Sequence, residues 1–181
     1  MIHLRNLEMK DVPFMLEWMH DPQIQKCFQK DMMGMSQEDA QEFCRVSAEN
    51  QSKKDRGDYQ DIHYAIADEQ DEYLGTISLK NIDWVSGSAE YAISTRKCVH
   101  GKGTAKEATG LMLQKGFKEL GLHRIYLNVL SDNIRAVRFY EKCGFVYEGE
   151  FREHIRLEGT LKSLKWFGML EDEFEQWIKE H

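Results

Sequence analysis

The chain has 181 residues, a formal net charge of −7, and 41% hydrophobic and 11% aromatic side chains. This is enough apolar material for one core and too much for a disordered chain, and the length suits a single domain spanning 1–181. The negative balance argues against a nucleic-acid binder, which needs a basic face to release phosphate counterions, and it favours cationic amines only weakly.

No apolar run nears the roughly 20 residues of a membrane span. The opening Met1-Ile2-His3-Leu4-Arg5-Asn6 lacks the basic and apolar segments of a secretory signal. The expectation is a cytoplasmic chain with no membrane contact. Cys27, Cys44, Cys98 and Cys143 form no CxxC pair and read as reduced thiols. The seven histidines include no HExxH and no Cys/His ligand set, so no metal is expected.

Residues 2–5 alternate as a short strand. Asp11 and Pro13 predict a helix start, with Val12, Met15, Leu16 and Met19 at helical spacing, and Asp21-Pro22 breaks it. Ser36 and Asp39 resemble a capping pair for a second helix through Ala40, Phe43 and Val46. The polar residues 49–61 read as a loop. Strands are predicted over 62–67, 73–82 and 88–94, separated by short turns, as an antiparallel meander.

The period then changes. Ala108, Thr109, Met112, Gly116, Phe117 and Leu120 share a helical face after Ala105, and Gly121 suits the helix end. A strand over 125–130, a helix over 133–142 and two paired strands, from 145 onward and over 160–170, follow, with a final helix over 171–179. The glycine-flanked helix with its two neighbouring strands makes one βαβ crossover.

Gly101 and Gly103 fall between strand and helix in Val99-His100-Gly101-Lys102-Gly103-Thr104-Ala105. Glycine there lets backbone approach a ligand, and the first helical amides have no intrahelical acceptor, so a pyrophosphate is a suitable guest. Lys102 and Lys106, with Arg96 and Lys97 upstream, are further candidates to meet phosphate charge. A tight corner is the alternative for the turn alone. It is neither a P-loop nor a full dinucleotide fingerprint, because Thr104-Ala105-Lys106 follows Gly103 without a third glycine.

The wider text carries more. Ala89-Glu90-Tyr91-Ala92-Ile93, Gly101-Lys102-Gly103-Thr104-Ala105, Asn133-Ile134-Arg135-Ala136, Tyr140-Glu141-Lys142-Cys143-Gly144-Phe145 and Glu148-Gly149 stand in order. In these the chain resembles the GNAT acetyltransferases, and within them the branch of ribosomal-protein alanine, amino-sugar and spermidine acetyltransferases. The resemblance implies a GNAT fold of the α/β (α+β) class: a mixed, mostly antiparallel sheet flanked by helices, with one parallel crossover at the coenzyme turn. It implies acetyl-CoA as co-substrate and an amine acceptor as partner. Cys98 and His100 depart from the Gln and Arg usual in the family's turn, which leaves the phosphate contacts there to backbone amides.

The resemblance also assigns roles. Tyr91-Ala92-Ile93-Ser94 would splay from the next strand and pair with the pantetheine arm, an amide near Ile93 donating to the thioester oxygen. Tyr140 would protonate the leaving thiolate, since a phenol with pKa near ~10 keeps its proton at neutral pH, although Ala136 and Tyr140 also share a helix face that suits packing. Asn133 would bind the arm, cap its helix, or both. Glu90, opposite Tyr91 in the alternation, is the candidate base or else a solvent-facing strand carboxylate. Asn128 is a candidate for a water or substrate contact.

Acceptor choice is expected from the N-terminal helices, the 49–61 loop and the hairpin over 145–164, whose Glu148, Glu150, Glu153 and Glu158 suit either a polyamine or a solvated face. Trp18, Trp84, Trp166 and Trp177 are pocket or core residues. No cysteine stands where a motif would make it a nucleophile, so direct attack in a ternary complex is expected. The alternatives are a non-catalytic acyl-CoA-binding module and, less well matched, a nicotinamide-dependent oxidoreductase. A homodimer is compatible with all of these.

Overall fold

The computed structural model describes residues 1–26, 28, 30–53 and 57–180; Cys27 and part of the expected 49–61 loop lie outside them. Seven strands, β1 (His3–Asn6), β2 (Ile62–Ala67), β3 (Tyr73–Asp83), β4 (Ser88–Thr95), β5 (Arg124–Leu130), β6 (Val146–Leu157) and β7 (Thr160–Leu170), form one sheet. Their order is β1-β2-β3-β4-β5-β7-β6, and among the described residues only β4 and β5 run parallel. This is the mixed, mostly antiparallel α/β architecture expected, with its crossover at the glycine turn.

The helices are α1 (Val12–Met19), α2 (Pro22–Gln25), α3 (Gln37–Ser52), α4 (Thr104–Gln114), α5 (Ile134–Lys142) and α6 (Glu171–Glu180). A wider π turn, Lys115–Glu119, extends α4. Two apolar clusters hold helices to the sheet. Ile77, Leu79, Tyr91, Met112, Leu113, Phe117, Ile125 and Phe174 form one; Val12, Met15, Trp18, Ala40, Cys44 and Tyr73 form the other. Burial pushes the Cys44 and Cys143 thiols up to about 11, so both remain protonated packing groups.

Asp11 and Pro13 start α1 as expected, and the buried Asp11 carboxylate accepts from both terminal nitrogens of Arg5, at 2.7 and 2.8 Å, and from the Glu8 amide. Two local details depart from the sequence expectation. Residues 49–52 are helical, because nothing there breaks α3. Arg45 forks to Glu42 and Glu49 one turn either side, and Gln51 ties the last turn to the His63 carbonyl at 2.6 Å. The Asp21-Pro22 break itself starts a new helix, since Asp21 accepts from the Gln23 amide at 2.9 Å with Pro22 in the first turn. The capping pair at α3 is present as expected: Ser36 accepts from the Asp39 amide, and Asp39 accepts in return.

Candidate active site

The parallel ladder between β4 and β5 is short. It pairs Ser88 with Arg124, Ala89 with Ile125 and Glu90 with Tyr126, then stops. Beyond it, β4 continues beside β3 as far as Thr95, and β5 continues beside β7 as far as Leu130. The two strands therefore fork, and each turns an edge of backbone into the gap. An extended ligand with amide groups can pair there as an added strand does.

A cleft of about 540 Å³ fills the fork. Tyr91 to Thr95 form one wall and Asn128 and Val129 the other, with the starts of α4 (Ala105) and α5 (Asn133, Arg135, Ala136) at one end. Gly101 and Gly103 shape the turn before α4 with φ of 77° and 83°, a left-handed conformation that favours glycine. A Cβ on either would meet nothing within 4 Å, so the backbone there is open to a ligand. The helix's own bonds begin with the Lys106 and Glu107 amides, which donate to the Gly103 carbonyl; the amides ahead of them have no acceptor within α4. Lys97, His100 and Arg135 add positive or polar character at this end. Burial, together with Arg135 and Lys97, holds the His100 imidazole below its ordinary pKa.

Of the side chains named in advance as phosphate partners, Lys97 is paired with Asp21, and two more are engaged elsewhere. Arg96 bonds to Glu72 at 2.5 Å, pairs with Glu17, donates to the Tyr73 carbonyl and stacks over Phe14, which ties the end of β4 to α1. The Lys106 ammonium sits over the Trp177 ring at 5.7 Å.

Tyr140 enters the cleft from α5. Its ring meets Tyr91 edge-on at 6.2 Å and lies against Phe139 and Phe145, so rigid aromatic neighbours set its direction. Tyr91 is itself buried and bonded to Thr109 of α4 at 2.8 Å, and burial raises its pKa well above the ordinary value. Asn133 caps α5 through Oδ1, which accepts from the Ala136 amide at 3.2 Å, and it also lines the cleft.

Glu90 lines the cleft on the sheet face opposite Tyr91, as strand alternation requires. Its two oxygens accept from Lys80 Nζ at 3.1 Å and Asn81 Nδ2 at 2.8 Å. Burial and the Glu90 charge raise the pKa of Tyr126, the neighbour of Glu90 on β5. Cleft access from both sheet faces thus puts a phenol on one side and a carboxylate on the other.

Ile93, Ser94, His100, Ala105, Asn133, Tyr140, Glu90 and Asn128 all line the cleft, and Gly101, Lys102, Gly103 and Thr104 complete the turn beside it. Gln23, Ile24, Phe28 and Lys30, on and after α2, roof it. Neither the expected 49–61 loop nor the acidic hairpin contributes among the described residues. Glu148 is instead bound to Arg124, whose side chain holds that carboxyl below its usual range, and Glu158 faces a second cavity with Lys26, Asp132 and Lys162. The four tryptophans stay out of the cleft: Trp18 donates to the Tyr73 hydroxyl and Trp84 to the Tyr59 carbonyl, while Trp166 stacks on Tyr126 and Trp177 lies against Gly110 and Gly144.

Sequence reasoning missed Lys80 and the α2 roof. Lys80 reaches Glu90 only through the β3–β4 register, which no local spacing announces. The roof has a signal in Asp21-Pro22, which both breaks α1 and opens the first turn of α2.

A forked sheet, with an exposed glycine turn and two helix starts at one end of the fork, can seat an extended, phosphate-bearing ligand. A family model described as an acetyltransferase (GNAT) domain matches residues 2–146. The spermidine N(1)-acetyltransferase of Vibrio cholerae is 33% identical over 111 residues, 61% of this chain and 64% of that enzyme. The putative ribosomal N-acetyltransferase YdaF of Bacillus subtilis is 31% identical over 101 residues, 56% of this chain and 55% of that protein. The chain thus matches under two thirds of the length of either relative. The crystal structure of the V. cholerae spermidine N-acetyltransferase in complex with CoA and spermine superposes with a TM-score of 0.84 at 27% identity, covering 96% of this chain and 98% of that one. This chain belongs to the GNAT acetyltransferase family.

Proposed function

We propose that the chain transfers acetyl from acetyl-CoA to a primary amine, by direct attack in a ternary complex. The observation that carries this reading is the fork between β4 and β5 beside the open Gly101–Gly103 turn. The residues fit the donor: backbone without Cβ hindrance for a pyrophosphate, and two strand edges for the amides of a pantetheine arm. Acetyl-CoA supplies a thioester with an electrophilic acyl carbon and a thiolate leaving group.

The chain's own groups do the rest. The helix starts and the turn amides hold phosphate, and the Ile93–Ser94 segment orients the arm and offers an amide to a developing oxyanion. The Tyr140 hydroxyl gives a proton to the departing sulfur. Asn133, its Oδ1 committed to the cap, has Nδ2 left to donate to the arm.

Glu90 orients the acceptor and takes its proton, directly or through a water. Alkylammonium groups have pKa near ~10, so the lone pair must be exposed before attack. Acceptors in keeping with the family range from small-molecule amines, such as polyamines and amino sugars, to protein N-termini. A cytoplasmic location goes with this chemistry.

Calorimetry with acetyl-CoA, followed by a thiol-release assay across a panel of amines, tests the proposal. Donor binding with thiol release for one class of amine is expected. Donor binding without turnover on any amine would favour a non-catalytic acyl-CoA-binding module, and no donor binding would refute the reading of the turn.

A further inference from the structure

We infer that the acceptor is an amine carrying an anionic group, and that Lys80 is the residue that selects it; this rests on the acetyl-transfer reading above. The cleft's charges carry the inference. Its lining includes Lys30, Lys80, Lys97 and Arg135, and Glu90 is the one carboxylate among the described lining residues. Lys97 and Arg135 lie at the glycine-turn end, where both act on His100, and Lys97 is paired with Asp21. Arg135 is placed for the donor's phosphates, and Lys97 stands beside it with its charge set against Asp21.

At the other end stand Glu90 and Lys80, directly opposite each other on β4 and β3. Lys80 Nζ, half-buried, lies 3.1 Å from Glu90, and Asn81 donates to the second carboxylate oxygen. Glu90 is therefore neutralised where an acceptor would enter. Lys30 adds a cation at the roof, although its charge also reaches Asp39.

A polycation entering this end gives up water, meets one carboxylate already paired, and lies beside an ammonium. Like charge at close quarters is strongly selected against. None of the glutamates that suggested a polyamine lines the cleft; Glu158 lines the cavity adjoining it at Phe28 and Asn133, where Lys26 and Lys162 stand beside it and Asp132. An amine with a carboxylate or phosphate a few bonds from its nitrogen behaves differently. Its anion pairs with Lys80, which has N–H donors beyond the one given to Glu90, and its nitrogen is left to Glu90.

The experiment compares kcat/KM within matched acceptor pairs: cadaverine against aminohexanoate, and glucosamine against its phosphate ester, with spermidine alongside. The anionic member of at least one pair should be preferred by about tenfold or more, and the responding pair tells carboxylate from phosphate. Lys80→Met should shrink that preference to about twofold or less without changing donor affinity by calorimetry, while Lys80→Arg should keep most of it. Turnover that favours spermidine or cadaverine, or a preference untouched by Lys80→Met, would overturn the inference and leave acetyl transfer standing. No thiol release with any acceptor would instead sink the acetyl-transfer reading, and this inference with it.

Discussion

Gly75→Ala is the substitution that most sharply tests the forked strand. Gly75 lies on β3 opposite Thr95 at the end of β4, and opposite Ile66 of β2 on its other side. A Cβ there would fall against the Ser94 carbonyl oxygen and only 2.9 Å from the Thr95 Cα. Both are backbone atoms of a paired strand, so neither can rotate away, and β4 has to shift. Overpacking of this kind costs about 2–3 kcal/mol. For a chain of this length that lowers Tm by about 5–10 °C.

The displaced residues are Ser94 and Thr95, on the wall of the cleft, so donor affinity should fall with the melting temperature. Gly110→Ala is the comparison. Its Cβ meets Trp177 at 3.6 Å, an ordinary contact, and inside α4 alanine should add about 0.5–1 kcal/mol. Thermal unfolding and donor calorimetry of both variants decide the matter. A Gly75→Ala protein that melts with the wild type and binds acetyl-CoA equally well would refute the close approach and the strand's role.

Other outcomes follow from the same geometry. His63, under Phe43 and bonded to Ser78, is held by burial at a pKa of about 4 against an ordinary 6.5. The unfolded chain therefore binds the extra proton first as pH falls, and stability should drop between pH 6.5 and about 4, by up to about 3 kcal/mol. Denaturant titrations of wild type and His63→Gln across that range should differ in slope; identical slopes would contradict it. Cys98 is exposed and lies outside the cleft lining, so Cys98→Ala should retain turnover, whereas lost activity together with a trapped acyl-protein in the wild type would contradict direct attack.

Much of the fold was readable because the chain's punctuation is strong. Strand alternation, the capping pair Ser36–Asp39 and the glycine turn before α4 are local signals, and local sequence decides them. The cleft's main wall was readable for the same reason: Ile93, His100, Ala105, Asn133 and Tyr140 come from contiguous motifs. What stayed hidden is non-local. The Arg5–Asp11 pair, the Arg96 tie to α1 and the Lys80–Glu90 pair each depend on which strand lies beside which. The acidic hairpin was legible only as charge: none of its four glutamates lines the cleft, and Glu158 lines the cavity that adjoins it at Phe28 and Asn133, a placement set by strand order rather than by local sequence.

The central claim is that the fork is an acetyl-transfer centre with Tyr140 as its proton donor, and Tyr140→Phe tests it most directly. Phenylalanine keeps the aromatic packing on Tyr91 and Phe145 and removes only the hydroxyl. With the preferred amine at saturation, kcat for thiol release should fall by about a hundredfold or more while acetyl-CoA affinity by calorimetry stays within about twofold. Unchanged kcat would contradict the account, because the proton would then reach the leaving sulfur without this residue.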